Sequence, residues 1–269
     1  MILIGEKLNS SIPSTRAILE ARDAAAAAGL AAAQEEAGAE WLDLNAGMFA
    51  GEEEAVLSWL AQTAAGATKA GLVLDSPDPA VLAAVADLLP GRRLLLNSAT
   101  LDPVRLEPLL DLALRTGAGL VVLPIRGRGL PETVPELEEN GITAVETLRT
   151  AGLPDDRIYI DILVSAAAVD DTAPARALAF ARRMRGRYPG IRLTGGISNV
   201  SYGLPGRRAV NAAFLSAAVQ AGVDAPILDV LDSTLLHHLS AAVLIAGQDE
   251  YCAEYLRFYR SRPTGGSPS

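Results

Sequence analysis

Asp75, Asn97, Asp161 and Asn199 each close, or stand just beyond, a short aliphatic run: Leu-Val-Leu-Asp at 72–75, Leu-Leu-Leu-Asn at 94–97, Tyr-Ile-Asp at 159–161 and Gly-Gly-Ile-Ser-Asn at 195–199. Side chains of these types give and take hydrogen bonds but rarely attack carbon. A carboxylate accepts two parallel N–H bonds from an aminopyrimidine edge, and an amide both donates and accepts. Acids and amides converging with no cation among them therefore suit a neutral planar heterocycle bearing amino, imino and carbonyl groups. The same ends of other runs carry Glu6 and Asn9 just after the first, Asp43 and Asn45 at the second, and Asp229 and Asp232 at the eighth. Taken singly, Asp and Asn also begin turns and cap helices. Asp43 and Asp229, inside their runs, suit satisfied core acids as well.

Other chemistries lack their residues. His237 and His238 are the only histidines and are adjacent, so on a helix they point to different faces and do not suggest a zinc site. No Gly-x-Ser-x-Gly elbow or Walker-type phosphate loop occurs. Of the two lysines, Lys7 and Lys69, the latter ends a predicted helix, leaving no evident Schiff-base lysine. Cys252 stands alone, which excludes an internal disulfide and a Cys-rich metal site and fits a reducing cytoplasm. With 23 Lys+Arg against 32 Asp+Glu the net charge is −9, and no basic stripe interleaved with aromatics offsets it, which argues against nucleic acid. The opening Met-Ile-Leu-Ile-Gly-Glu does not read as a signal peptide, and no apolar stretch reaches the roughly 20 residues a bilayer span needs.

The elements that must position these side chains follow from the apolar runs. Eight candidate strands lie at 2–5, 41–45, 71–75, 93–97, 120–124, 158–161, 191–196 and 225–229. Between and after them amphipathic helices are predicted at 16–36, 53–69, 79–89, 104–116, 137–151, 174–188, 208–221 and 234–246. Unbroken alternation, with runs buried on both faces, describes parallel strands wrapped by helices. Eight units in about 250 residues is the size of a (β/α)8 TIM barrel, an α/β fold whose chemistry sits at the C-terminal ends of its strands. A doubly wound sheet is the runner-up, but Gly5-Glu6-Lys7-Leu8-Asn9 stands where its glycine-rich turn belongs. A single domain over residues 1–262 with a disordered tail at 263–269 is expected.

Several segments together resemble the pterin-binding methyltransferases that use methyltetrahydrofolate and a corrinoid protein. They are Ile-Gly-Glu-Lys-Leu-Asn at 4–9, Trp-Leu-Asp-Leu-Asn-Ala-Gly at 41–47, Leu-Asp-Ser at 74–76 and Leu-Asn-Ser at 96–98. Tyr-Ile-Asp at 159–161, Gly-Ile-Ser-Asn-Val-Ser at 196–201 and Asn-Ala-Ala-Phe-Leu at 211–215 complete the set. The resemblance spans nearly the whole chain. It implies a TIM barrel in which Asp75, Asn97 and Asp161 hold the pterin ring and Asn199 faces the methylated N5. It further implies that Gly196, Ser198, Arg207 and Ile227 line the site, and that the methyl group passes between N5 and the cobalt of a corrinoid on a separate protein. Asn199 would stabilise charge on N5, with Asp75, Asp161 and water supplying the proton. No Asp-x-His-x-x-Gly is present for corrinoid ligation, so cobalamin is expected on a partner. No metal is implied, and homodimerisation is the family habit.

The chain departs from the family pattern at Ile162, at 164–168 and at Tyr202-Gly203-Leu204-Pro205-Gly206. Tyr202 either stacks on a ligand or packs in its loop. Arg126 and Arg128, after the fifth strand, either meet the glutamate tail of a folate or are solvated. Two alternatives stay open. One is a dihydropteroate synthase, which would need cations where Leu228-Asp229-Val230-Leu231-Asp232 stands; the other is a pterin-binding paralogue without turnover.

Overall fold

The computed structural model describes residues 1–127 and 129–261. Eight parallel strands close into a barrel in sequence order: β1 (Ile4–Asn9), β2 (Trp41–Asn45), β3 (Gly71–Asp75), β4 (Leu94–Ala99), β5 (Gly119–Val122), β6 (Ile158–Asp161), β7 (Arg192–Gly196) and β8 (Ala225–Leu228). The expected TIM barrel is therefore present. Among the described residues ten α-helices surround it. They are α1 (Pro13–Ala21), α2 (Ala24–Glu36), α3 (Glu53–Ala67), α4 (Pro79–Asp87), α5 (Pro103–Thr116), α6 (Val134–Thr150), α7 (Ala173–Arg187), α8 (Arg207–Gln220), α9 (Ser233–Ile245) and α10 (Ala253–Ser261).

Three sequence expectations need correction. The single helix at 16–36 is two, because Arg22 adopts a left-handed conformation (φ 51°) and the Asp23 side chain caps α2 by accepting from the Ala26 N–H. Helix α10 lies beyond the last predicted element, docked through contacts of Phe258 and Tyr259 with His237. The first strand runs to Asn9 rather than ending at Gly5. The proposed disordered tail lies outside the described residues.

Between sheet and helices lies a continuous aliphatic core, including Leu42, Leu44, Leu57, Leu72, Leu82, Leu96 and Phe180. Inside the barrel, Ile4, Val73, Leu95, Val121, Tyr159 and Ala225 form a second, smaller cluster that plugs the lumen. Register sets what lies above it. Asp43 pairs across strands with Val73, itself paired with Leu95, so a carboxyl enters that apolar layer. One layer toward the C-terminal ends, Asn9, Asn45, Asp75 and Asn97 are successive cross-strand partners on four adjacent strands, forming a polar row.

An irregularity in β1 matters for the site. Gly5 pairs with Leu42 and Leu8 with Leu44, so β1 carries one residue more than β2 over this stretch. Such a bulge breaks strict alternation, and both Glu6 and Lys7 line the cavity described below. Two outer side chains satisfy the bulged backbone: Gln34 Oε1 accepts from the Lys7 N–H at 3.0 Å, and Thr15 Oγ1 donates to the Lys7 carbonyl at 2.7 Å. Gly5 permits the first contact, since a Cβ there would stand 2.5 Å from Gln34 Oε1. Replacing the fully buried Gln34 by Leu should strand that N–H and lower unfolding stability by about 1–3 kcal/mol. Urea denaturation measures it, and an unchanged midpoint would show that the bulge does not depend on this bond.

Candidate active site

A cavity of about 730 Å³ opens at the C-terminal ends of the strands. Its inner wall carries Glu6, Asp43, Asp75, Asn97 and Asp161. Gly196, Ser198 and Asn199 come from the segment after β7, and Ile227 from β8. Arg207 and Tyr202 border it too. The structure thus brings to one cavity all the residues singled out for the pterin ring. Among the secondary candidates Glu6, Asn9, Asp43 and Tyr202 line it directly. Asn45 acts through a neighbour, its Nδ2 donating to Asp75 Oδ2 at 2.9 Å while its Oδ1 accepts from Ser10 Oγ and the Gly47 N–H.

Burial governs the electrostatics. Removal from water pushes the carboxyls of Asp75, Asp161 and Glu6 up to about 6 each, against the opposing hydrogen bonds they accept from Asn45, from the Leu163 N–H and from Ser198. Asp43, 3% exposed, is raised well above the usual carboxylate range, first by burial and then by the Asp75 charge, with a hydrogen bond from Asn97 opposing. Its Oδ1 is buried without a hydrogen-bond partner. It is not, then, a satisfied core acid. Asp43 Oδ1 lacks a donor, which a ligand rich in N–H groups would provide. Leu163 contributes through its backbone: at φ 55° its N–H donates to Asp161 Oδ1 at 2.7 Å.

Asn199 lies in a 3-10 turn, residues Ile197–Ser201, held from both sides. Ser198 Oγ donates to Glu6 Oε2 at 2.9 Å, while Arg207 donates through Nη2 to the Ser198 carbonyl and through Nε to Ser201 Oγ. The Asn199 side chain is exposed to the cavity, and among the described residues it has no hydrogen-bond partner. It lies over Gly196, where a Cβ would meet its Nδ2 at 2.9 Å. Gly196 sits at φ −74°, which any residue tolerates, so Gly196→Ala should act by displacing the amide rather than by straining the backbone. We expect about a tenfold or greater loss in turnover with the melting temperature nearly unchanged, by analogy with small misplacements of reacting groups. An equal loss of stability would assign Gly196 a packing role.

Four readings change. The strand ends were expected to hold no cation; besides Arg207, which the resemblance placed at the site, Lys7, Arg16 and Arg208 line the cavity. Lys7 Nζ pairs with Asp229 Oδ2 at 2.6 Å. Asp229 follows β8 rather than ending it, and Asp232 caps α9 by accepting from the Thr234 N–H at 3.0 Å. Tyr202 is not packed in its loop: it is 71% exposed on the cavity rim. Arg126 does not reach the cavity; its Nη2 donates to Thr143 on α6, while Arg128 lies outside the described residues. Sequence reasoning missed Arg16, Arg208 and Asn211 as lining residues. Arg16 and Arg208 stand in the first turns of helices that follow strands, the signal that locates such positions, and Asn211 lies one turn further along α8. Among the described residues no group of His, Cys, Asp and Glu is placed to hold a metal ion.

Comparison with known proteins adds three findings. A family model described as pterin binding enzyme matches residues 5–229. The chain is 33% identical over 270 residues, covering 98% of each sequence, to the methylcorrinoid:tetrahydrofolate methyltransferase of Eubacterium limosum. It is 27% identical over 241 residues to methionine synthase of Mycobacterium tuberculosis (strain ATCC 25618 / H37Rv), spanning 85% of this chain but only 20% of that longer protein. Among solved structures, dihydropteroate synthase from Xanthomonas albilineans in complex with 7,8-dihydropteroate superposes with a TM-score of 0.65 over 91% of both chains at 19% identity. The Coxiella burnetii dihydropteroate synthase in complex with pteroic acid gives 0.67 over 91% of this chain and 93% of that one, at 14% identity. At these identities the structural likeness establishes the fold alone.

Proposed function

The chain belongs to the pterin-binding enzyme family, and from that premise we propose that it is a methyltransferase moving a methyl group between N5 of tetrahydrofolate and the cobalt of a corrinoid carried by a separate protein. The observation that carries the reading is the Asn199 amide, turned out over Gly196 and without a hydrogen-bond partner among the described residues, beside the carboxyls of the inner wall. The near full-length likeness to a methylcorrinoid:tetrahydrofolate methyltransferase supports it.

The inner wall fits a pterin. Asp75 and Asp161 accept from the amino and ring N–H groups, and Asn97 gives and takes at the carbonyl edge. Asn199 is then the amide at N5. A tertiary amine is a poor leaving group, so charge developing on N5 as the N–CH3 bond breaks must meet a hydrogen bond or a proton. The Asn199 N–H donates there. Asp75 and Asp161, with pKa values of about 6, hold a proton within reach of neutral pH and pass it through water. The corrinoid would supply low-valent cobalt to take the methyl group or, in reverse, methylated cobalt to give it, and the same transition state serves both directions. Glu6 and Arg207 are positioning residues, holding the turn that carries Asn199.

The partner's approach is open. Met48, Leu130, Val169, Tyr202 and Leu231 are exposed apolar side chains, each in a loop that follows a strand on the cavity face. Such a rim suits a docking protein. A cytoplasmic homodimer that binds neither nucleic acid nor membrane completes the proposal, and no described helix is long and apolar enough to cross a membrane.

A dihydropteroate synthase would release pyrophosphate when given a pterin diphosphate and p-aminobenzoate. The expected result is no release under conditions in which methyltetrahydrofolate methylates a corrinoid acceptor. Pyrophosphate release without methyl transfer would overturn the proposal.

A further inference from the structure

Carboxyls line the cavity over β2, β3 and β6; the part over β1 and β8, between the starts of α1, α8 and α9, carries Glu6, Asp229 and Asp232 but also the cations Lys7, Arg16, Arg207 and Arg208, of which Lys7 pairs with Asp229. Arg16 uses only Nε for a protein bond, donating to the Ser10 carbonyl at 3.1 Å, and no protein acceptor takes its terminal nitrogens among the described residues. Arg208 approaches Asp232 Oδ2 through Nε at 3.2 Å, and its side chain is 82% exposed. Asp232 is already engaged in capping α9. Arg208 also sits in the first turn of α8, which has no acidic residue and no side-chain cap. Cations there face the positive end of the helix dipole, an arrangement that costs stability until an anion joins it. Asn211, one turn further along α8, lines the same space with a buried Oδ1 that has no partner.

We propose that Arg16 and Arg208 form a carboxylate subsite for the glutamate tail of the folate, making the enzyme selective for tailed, and above all polyglutamylated, substrate. The inference rests on the pterin reading of the inner wall, since a ligand held there by a neutral ring must send its anionic end away from Asp75 and Asp161. Guanidinium groups with free terminal nitrogens match a carboxylate in shape and charge. Arg126, in the loop after β5, does not supply this contact, because it is turned to Thr143 and away from the cavity. A phosphate or acidic side chain on the corrinoid protein has the same chemistry, and the test separates the two sources.

The experiment is calorimetric titration of the full chain with tetrahydropteroate, which lacks the tail, with tetrahydrofolate, and with its γ-linked triglutamate. It is run on the wild type, Arg16→Gln, Arg208→Gln and the double variant. The wild type should bind tetrahydrofolate about tenfold more tightly than tetrahydropteroate, and the triglutamate more tightly still. The double variant should lose most of that preference while its affinity for tetrahydropteroate stays the same, which also reports an intact fold. The preference should shrink as salt rises from about 0.02 M to about 0.3 M. A double variant that keeps the full preference overturns the proposal. So does a double variant that keeps the preference but transfers methyl more slowly to the corrinoid protein, which would assign the arginines to the partner. Failure of the wild type to bind tetrahydropteroate at all would remove the pterin reading, and this subsite with it.

Discussion

Asn199→Ala should slow methyl transfer by about 10²–10³-fold while changing the dissociation constant for methyltetrahydrofolate less than about threefold. The asymmetry follows from what the side chain touches. It has no hydrogen-bond partner among the described residues and is exposed, so its removal leaves no orphaned group and creates no cavity. In the ground state N5 carries its methyl group and little charge, and a single exposed amide adds little to binding. As the N–CH3 bond breaks, charge gathers at N5, and a donor aimed at that point strengthens where the barrier is highest. An interaction made only in the transition state lowers the rate and leaves affinity almost untouched. Single-turnover rates with saturating corrinoid protein, set beside equilibrium titration, separate the two quantities. Comparable losses in both would reassign Asn199 to ring binding.

Asp161→Asn should weaken pterin binding by about two to three orders of magnitude without weakening the fold. Leu163 donates to Oδ1, an acceptor that an amide retains, so the local backbone stays satisfied. What changes is the other atom, where a donor replaces an acceptor and faces the N–H edge of the ligand. Losing a charge-assisted bond and leaving two donors opposed costs about 3–4 kcal/mol. The stability consequence has the opposite sign. In the wild type burial raises the Asp161 carboxyl from an ordinary value near 3.8 to about 6, so folding binds a proton between those values. Stability from this group therefore falls as pH rises from about 4 to about 6, and the deficit persists above. The Asn variant carries no such deficit. Its melting temperature should match the wild type near pH 4 and equal or exceed it at pH 7.5, measured without ligand. A variant less stable at pH 7.5 would mean that the charged form makes a compensating contact in the fold.

Much of this site was legible before the structure, because parallel strands buried on both faces leave only their C-terminal ends for polar residues. Asp75, Asn97 and Asp161 could be read from position alone, because each closes its strand, and for Asp75 and Asn97 the register adds a row of cross-strand partners that needs no long-range information beyond strand order. What could not be read depends on breaks in regular geometry. Glu6 was legible from its place after the first run, but Lys7 lines the cavity beside it by virtue of the β1 bulge, and no periodic pattern announces a bulge whose N–H is satisfied by Gln34, 27 residues away. The split at Arg22 hides inside an alanine-rich stretch that suits one helix as well as two. Asp232 lines the cavity and is also a helix cap, a second role shown only by which N–H groups face it. The cations were overlooked for a related reason. Arg16 and Arg208 belong to helices, and only the closing of the barrel carries the first turns of α1 and α8 to the rim.

The most direct test of the central claim is to titrate the purified chain with methyltetrahydrofolate and then add reduced cobalamin, following the visible spectrum. The account predicts saturable binding of the folate, then conversion of the reduced cobalt spectrum to that of methylcobalamin, at a rate that depends on Asn199. Saturable binding of another pterin with no methylation of cobalamin, free or carried by a corrinoid protein, would contradict it.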